Sequence, residues 1–183
     1  MDKIHFKSES NEWSTPQEFF DRLNAEFDFH LDVAATKKNT KCQYYYTLQD
    51  DAISKDWSRA NECRALNTVK SEDNDLILKA PCEYNQTVWC NPPYGKAQKD
   101  FIRKAHFEFL TYNTKTVLLI PARTDTRMWG DFIFKYASEI RFITGRLKFG
   151  GCKDPAPFPS AVVIFGTRKY GEIPIISTMK AKV

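Results

Sequence analysis

Apolar positions along this chain switch between a helical period and short unbroken runs. Phe19, Phe20, Leu23 and Phe27 share one face of a helix predicted over 16–27. Thr15-Pro16 ahead of them reads as an N-cap followed by a first helical residue, where a hydroxyl accepts an early N–H and proline lacks only a donor that would be orphaned anyway. Phe29 to Ala35 is a short strand candidate that ends in a carboxylate and small residues. Residues 36–54 are polar and Tyr-rich with weak periodicity. Residues 58–86 are the least hydrophobic internal stretch and read as an excursion from the core, with a candidate short strand at 75–78. Thr87 to Cys90 is the next apolar run. Phe101, Ile102, Ala105, Phe109 and Leu110 predict a helix over 97–112, and Thr116 to Ile120 a fully apolar strand. Trp129, Phe132, Ile133 and Tyr136 mark a helix over 125–137. Ile140 to Ile143 and Ser160 to Phe165 are strands, with an extended piece at Arg146 to Phe149. Strands alternating with helices predict an α/β class with a mainly parallel sheet.

Composition narrows the picture. A chain of 183 residues fits one domain with a sizeable core, and 42% hydrophobic with 27% charged residues is ordinary for a globular protein. No apolar run approaches the roughly 20 residues of a membrane span. The polar segment Met1 to Ser10 does not resemble a signal peptide. The net charge of +4 permits a nucleic-acid partner without demanding one. Cys42, Cys63, Cys82, Cys90 and Cys152 form no Cys-x-x-Cys pair, so reduced thiols are expected and no metal site. His5, His30 and His106 are isolated. All seven glycines lie at or after Gly95, so the first half holds neither a P-loop nor a dinucleotide fingerprint.

The stretch with the most chemistry is Asn91-Pro92-Pro93-Tyr94, directly after the run Thr87 to Cys90. Two prolines fix their own φ angles and bias the preceding residues to extended geometry, which stiffens the loop. The Asn91 side chain offers a carbonyl acceptor, and the Pro92 main-chain carbonyl a second. Tyr94 offers a face on which a flat ring can stack. Two acceptors converging on one exocyclic amine would draw its lone pair out of conjugation, as a poor nitrogen nucleophile requires. In open α/β sheets, ligands sit at the carboxyl ends of strands, where this loop is expected.

With that loop placed after a strand of an α/β domain, the chain resembles the S-adenosylmethionine-dependent amino methyltransferases, and more narrowly the phage-type DNA N6-adenine methyltransferases. Trp13-Ser14-Thr15-Pro16 resembles the amino-terminal cofactor motif, Leu31-Asp32-Val33-Ala34-Ala35 the first-strand motif, and Asp51-Ala52-Ile53 the acidic-aliphatic motif. Ile120-Pro121-Ala122-Arg123, Gly145 to Phe149 and Phe158 to Val163 resemble the later motifs, in the same order, over about 13–166. Where the family at large carries glycine in the first-strand motif, this chain has Thr36-Lys37-Lys38.

The resemblance implies one Rossmann-like methyltransferase domain over 1–183, with its sheet flanked by helices; as a departure from the family pattern, no separate target-recognition domain is expected after the sheet. It implies S-adenosylmethionine as methyl donor, contacted by Thr15, Pro16, Asp32, Ala34 and Asp51, with Asp32 near the methionine ammonium and Asp51 near the cofactor adenine. Asn91, Pro92, Pro93 and Tyr94 would carry catalysis on an adenine flipped out of double-stranded DNA. Phe149 is the favoured second stacking face and Phe158 its runner-up. Arg123, Arg127, Arg146, Lys148, Lys96 and Lys99 would meet phosphates. A monomer or weak dimer acting in the host cytoplasm is expected. Two alternatives stay open: the same chemistry on RNA or protein glutamine, and a non-catalytic nucleic-acid-binding module on the same fold.

Overall fold

The computed structural model describes residues 13–58, 86–150, 152–167 and 172–182. Among them one sheet contains β1 (Phe29–Asp32), β2 (Tyr44–Tyr45), β3 (Thr87–Cys90), β4 (Lys115–Pro121), β5 (Glu139–Thr144), β6 (Ser160–Phe165) and β7 (Ile175–Lys180), in the order β2-β1-β3-β4-β6-β5-β7. The pairs β1/β2, β1/β3, β3/β4 and β5/β7 are parallel. Strand β6 is antiparallel to both of its neighbours, β4 and β5. The sheet is therefore mainly parallel, as expected, with one reversed strand set into it.

The unbroken apolar runs form central strands because both faces of the sheet are covered. On one face Leu31, Val88, Cys90, Leu118, Ile120, Ala161, Val163 and Phe165 pack with Ile102 and Ala105 of helix α2 (Gln98–Tyr112). On the other, Trp89, Val117, Leu119, Val162 and Ile164 pack with Phe19, Phe20 and Leu23 of helix α1 (Gln17–Phe27). Each of those buried Phe and Leu side chains contributes about 1.5–3 kcal/mol relative to exposure. Helix α2 stops where Asn113 enters the left-handed region (φ 56°) and its N–H bonds the Phe109 carbonyl at 2.9 Å.

Several sequence-based expectations are corrected. Helix α1 starts at Gln17 with Pro16 in the N-cap position, and no side chain caps it. The helix expected over 125–137 is a π-helical stretch, Met128–Ile133, followed by the short α3 (Phe134–Tyr136). There the Trp129 indole donates to the Pro121 carbonyl at 3.2 Å, tying the widened turn to the end of β4. The Arg146 to Phe149 piece is irregular rather than a strand and leads into an antiparallel bridge between Gly150 and Ser14. Strands β2 and β7 have no counterpart among the predicted elements. The strand expected at 75–78 and nearly all of the 58–86 insertion lie outside the described residues.

The topology has one consequence for the site. Parallel β1, β3 and β4 all end at the same edge of the sheet, and the register pairs Pro121 of β4 with Ser160, where β6 begins. Strand β5, antiparallel to β6, also ends there. Asp32, Asn91, Arg123, the loop from Gly145 to Phe149, and Phe158 are thus delivered to one rim.

Candidate active site

Asn91 follows the last residue of β3. Its amide nitrogen donates to the main-chain carbonyl of Trp13 and to Thr15 Oγ1, the latter at 3.1 Å. A carbonyl only accepts, so the nitrogen and not the oxygen of the amide must face Trp13. Both donor hydrogens are then used. The other end of the amide differs: Asn91 Oδ1 is buried and has no hydrogen-bond partner among the described residues. Buried acceptors are seldom left unpaired, because desolvation without compensation costs roughly 1–3 kcal/mol. Such an oxygen is poised for a donor brought by a ligand.

The Thr15 hydroxyl, expected to cap α1, is turned to Asn91 instead. Thr15 is buried and Ser14 is pinned by Gly150, whose N–H donates to the Ser14 carbonyl at 2.8 Å. A Cβ added at Gly150 would come within 3.3 Å of the Ser14 Cβ, so a small residue permits this close approach.

Asp32, at the end of β1, is only 3% exposed. Its carboxylate accepts from the N–H of Ala34 at 3.2 Å and of Lys41 at 3.1 Å. Burial pushes its pKa up to about 6 despite those two hydrogen bonds and the nearby Lys41 ammonium. The chain returns to Asp32 through a turn in which Asn39 Oδ1 accepts from Thr36 N–H at 2.6 Å, in the place where glycine was the family expectation. Lys41 donates to Gln17 Oε1 at 2.8 Å, and burial holds its ammonium below the ordinary lysine value.

Asp32, Ala34, Asn39 and Lys41 share one cavity with Ser14, Thr15, Trp89 and Asn91. This small, polar space joins the ends of β1 and β3. Asp51 does not line it: it is exposed, in the left-handed region (φ 49°), and ends the 3-10 turn Leu48–Asp50. Pro16 is likewise outside the lining.

An aromatic cluster adjoins the amide. Tyr94 lies edge-to-face with Phe149 (centroids 6.2 Å apart, planes at 83°) and with Phe158 (5.5 Å, 78°). Its near-parallel neighbour is Trp13, at 6.3 Å and 21°. Phe149, expected as the second stacking face, is 1% exposed, belongs to the core, and presents its edge to Tyr94. Phe158 is half-buried but also edge-on. Sequence reasoning placed Trp13 in the amino-terminal motif but not beside Tyr94. Its signal was an aromatic side chain immediately before Ser14-Thr15-Pro16. The Tyr94 hydroxyl is buried without a hydrogen-bond partner among the described residues, and burial pushes its pKa up.

Arg123, Arg127, Arg146, Lys148, Lys96 and Lys99 are all exposed, on loops or helix ends around this rim. Gly145, at φ 88°, turns the chain out of β5 toward Arg146, in a conformation side-chain-bearing residues rarely adopt. Among the described residues no group of His, Cys, Asp or Glu could hold a metal ion, and no helix is long and apolar enough to cross a membrane.

A mainly parallel α/β sheet with a reversed strand beside its last parallel members, and a polar site at the strand ends, is consistent with a methyltransferase fold. The chain belongs to the DNA N-6-adenine-methyltransferase (Dam) family, whose model matches residues 4–83 and 63–180. It is 26% identical over 136 residues to a DNA N-6-adenine-methyltransferase of Escherichia phage T1, an overlap of 74% of this chain and 45% of that relative. It therefore spans about half of that protein's length. A DNA N-6-adenine-methyltransferase of Haemophilus phage HP1 is 25% identical over 176 residues, covering 91% of this chain and 86% of the relative.

Proposed function

We propose that the chain transfers the methyl group of S-adenosylmethionine to N6 of an adenine flipped out of double-stranded DNA. The observation that carries this reading is the Asn91 amide, with its nitrogen doubly held and its oxygen buried and unpaired among the described residues. An exocyclic amine supplies the N–H that such an oxygen lacks. The Pro92 carbonyl serves as second acceptor. Together they hold the nitrogen toward tetrahedral geometry and stabilise the positive charge that develops on it, the kind of preorganised contact worth about 100–1000-fold in rate. No strong base is required before attack.

The cavity fits the donor by its chemistry. Asp32 presents a buried carboxylate suited to an ammonium, and Ser14, Thr15, Asn39 and Lys41 present polar groups suited to a carboxylate. S-adenosylmethionine supplies, when bound, a methyl group already activated on a sulfonium. An ammonium beside Asp32 returns the carboxyl to its charged form, offsetting the desolvation that raises its pKa in the free protein. Asp51 is not included among the contacts.

The flipped base stacks on Tyr94, and Trp13 is the second wall. Extrusion costs a few kcal/mol, and stacking returns roughly 1–3 kcal/mol of it. The exposed arginines and lysines of the rim meet phosphates, giving salt-dependent affinity. The test is tritiated-methyl transfer to DNA, RNA and glutamine-containing protein, with sequencing of modified positions in DNA from expressing cells. Transfer confined to DNA adenine supports the reading, and transfer to RNA or protein alone overturns it.

A further inference from the structure

We infer that the Trp13 carbonyl and the Thr15 hydroxyl act as a polarity lock on Asn91, which makes this site accept asparagine and refuse its isostere aspartate. The inference rests on the proposed function only in its catalytic consequence. The lock itself is a matter of which atom faces which.

The Trp13 main-chain oxygen has no hydrogen to give, so whatever stands opposite it must donate. The Thr15 hydroxyl can donate or accept and imposes no polarity of its own. At 3.1 Å it completes the pairing of the second amide hydrogen. With the nitrogen held at two points, Oδ1 has one orientation left, and that is the buried, unpartnered one. The segment bearing both partners cannot drift, because Ser14 between them is bridged to Gly150. Trp13 and Thr15 are therefore positioning residues: they aim the acceptor at the amine.

An aspartate side chain in place of Asn91 has the same shape and the opposite polarity. Ionised, it sets a negative oxygen against the Trp13 carbonyl at hydrogen-bond distance. Protonated, its O–H donates to that carbonyl and the other oxygen resumes the role of Oδ1. The variant is thus native-like only in its neutral form. Among the described residues, the ionisable groups around the position are Asp32 and Lys41, which line the same cavity, and Cys90 and Tyr94 on its own strand and loop. Burial raises both the Cys90 thiol and the Tyr94 phenol, so neither charges near neutrality. Asp32 adds a negative charge above about pH 6, which further disfavours ionisation of a second carboxyl in the same cavity.

The experiment compares wild type, Asn91→Asp, Thr15→Val and Thr15→Ser, reading thermal midpoint and methyl transfer from about pH 5.5 to about pH 8.5, a window in which a buried carboxyl can change charge. Asn91→Asp is expected to melt below wild type at the alkaline end, with a deficit that shrinks as pH falls. Its rate is expected to be about 100-fold below wild type at the alkaline end, with the ratio recovering toward acid. Thr15→Val is expected to lose about tenfold in rate, and Thr15→Ser, which restores the hydroxyl, to return within about twofold. A melting deficit that does not change with pH overturns the lock. A pH-dependent deficit accompanied by a wild-type rate at the alkaline end, or Thr15→Val as active as Thr15→Ser, overturns its catalytic role. If wild type itself methylates no DNA, the functional reading falls while the melting series still decides the lock.

Discussion

Asn91 and Glu108 are two polar side chains withdrawn from water in opposite ways. Glu108, on α2, is fully buried, yet both of its oxygens are engaged. Oε1 is ion-paired with the Lys104 ammonium at 2.6 Å, off the ideal hydrogen-bond direction, and Oε2 accepts the Trp57 N–H at 3.2 Å. Burial raises its carboxyl, and the adjacent Lys104 pulls it back. Asn91 keeps half of its capacity unused. A buried group engaged at both ends holds a fold together, here by clamping Trp57 onto α2. A half-paired one holds an unmet demand, which is what a binding site needs.

The sharpest way to break that contrast is Asn91→Ala. It should reduce methyl transfer by about 100–1000-fold while leaving the circular dichroism spectrum unchanged, since the loss falls on the reacting nitrogen. Residual transfer near the wild-type rate would erase the distinction. The mirror experiment is Glu108→Ala. It leaves Lys104 and the Trp57 N–H without their shared partner, and should cost about 3 kcal/mol in denaturant unfolding. Transfer per folded molecule should stay at wild type.

Asp32 sharpens the comparison by pH. Its carboxyl sits at about 6 in the free protein, above the value near 4 of an unfolded chain. The sign is therefore that of a raised acid: free-protein stability from this group is intact below about pH 4 and declines as pH rises toward about 6. Affinity for S-adenosylmethionine should run the other way, falling by about tenfold per pH unit below about pH 6 as the carboxyl is neutralised. Calorimetry across that range reads both. Trp13→Ala, which keeps the main-chain carbonyl but removes the ring, should lower kcat/KM for DNA by about tenfold through lost stacking. Arg146→Ala and Lys148→Ala should have the smallest effects: a modest loss of DNA affinity across all sequences, and a salt dependence shallower by about one phosphate contact each.

Strands β3, β4 and β6 are readable in the sequence because burial on both faces leaves an unbroken apolar run. Helices α1 and α2 are readable because their buried residues recur at helical spacing. Strand β7 is not, since it lies at the sheet edge with Ile175 and Ile176 largely exposed, and its residues answer to hydrogen bonding with β5 rather than to a core. The acceptor end of the site, Asn91, and the acid at the end of β1 carry side-chain signatures, so sequence singled them out. The restraining half does not. The Trp13 carbonyl is a main-chain group that every residue type possesses, and no composition or spacing marks it. The Thr15 hydroxyl was visible, but local rules assign it to the adjacent helix, and only the tertiary fold shows that it serves a residue 76 positions away. Asp51, which does not line the cavity, was the harder choice: a carboxylate in a polar stretch looks the same whether it meets a ligand or solvent.

The bridge between Ser14 and Gly150 bears on how the molecule becomes active. It staples an early segment to a late one, so the corner that aims Asn91 cannot be completed by any stretch of nascent chain emerging in isolation. A ribosome must release the loop beyond β5 before the amide is held from both sides. Closing so distant a contact slows folding, because its closure entropy is spent before the contact rewards it. The geometry around Asn91 is thereby made to wait until the chain has been synthesised past Gly150.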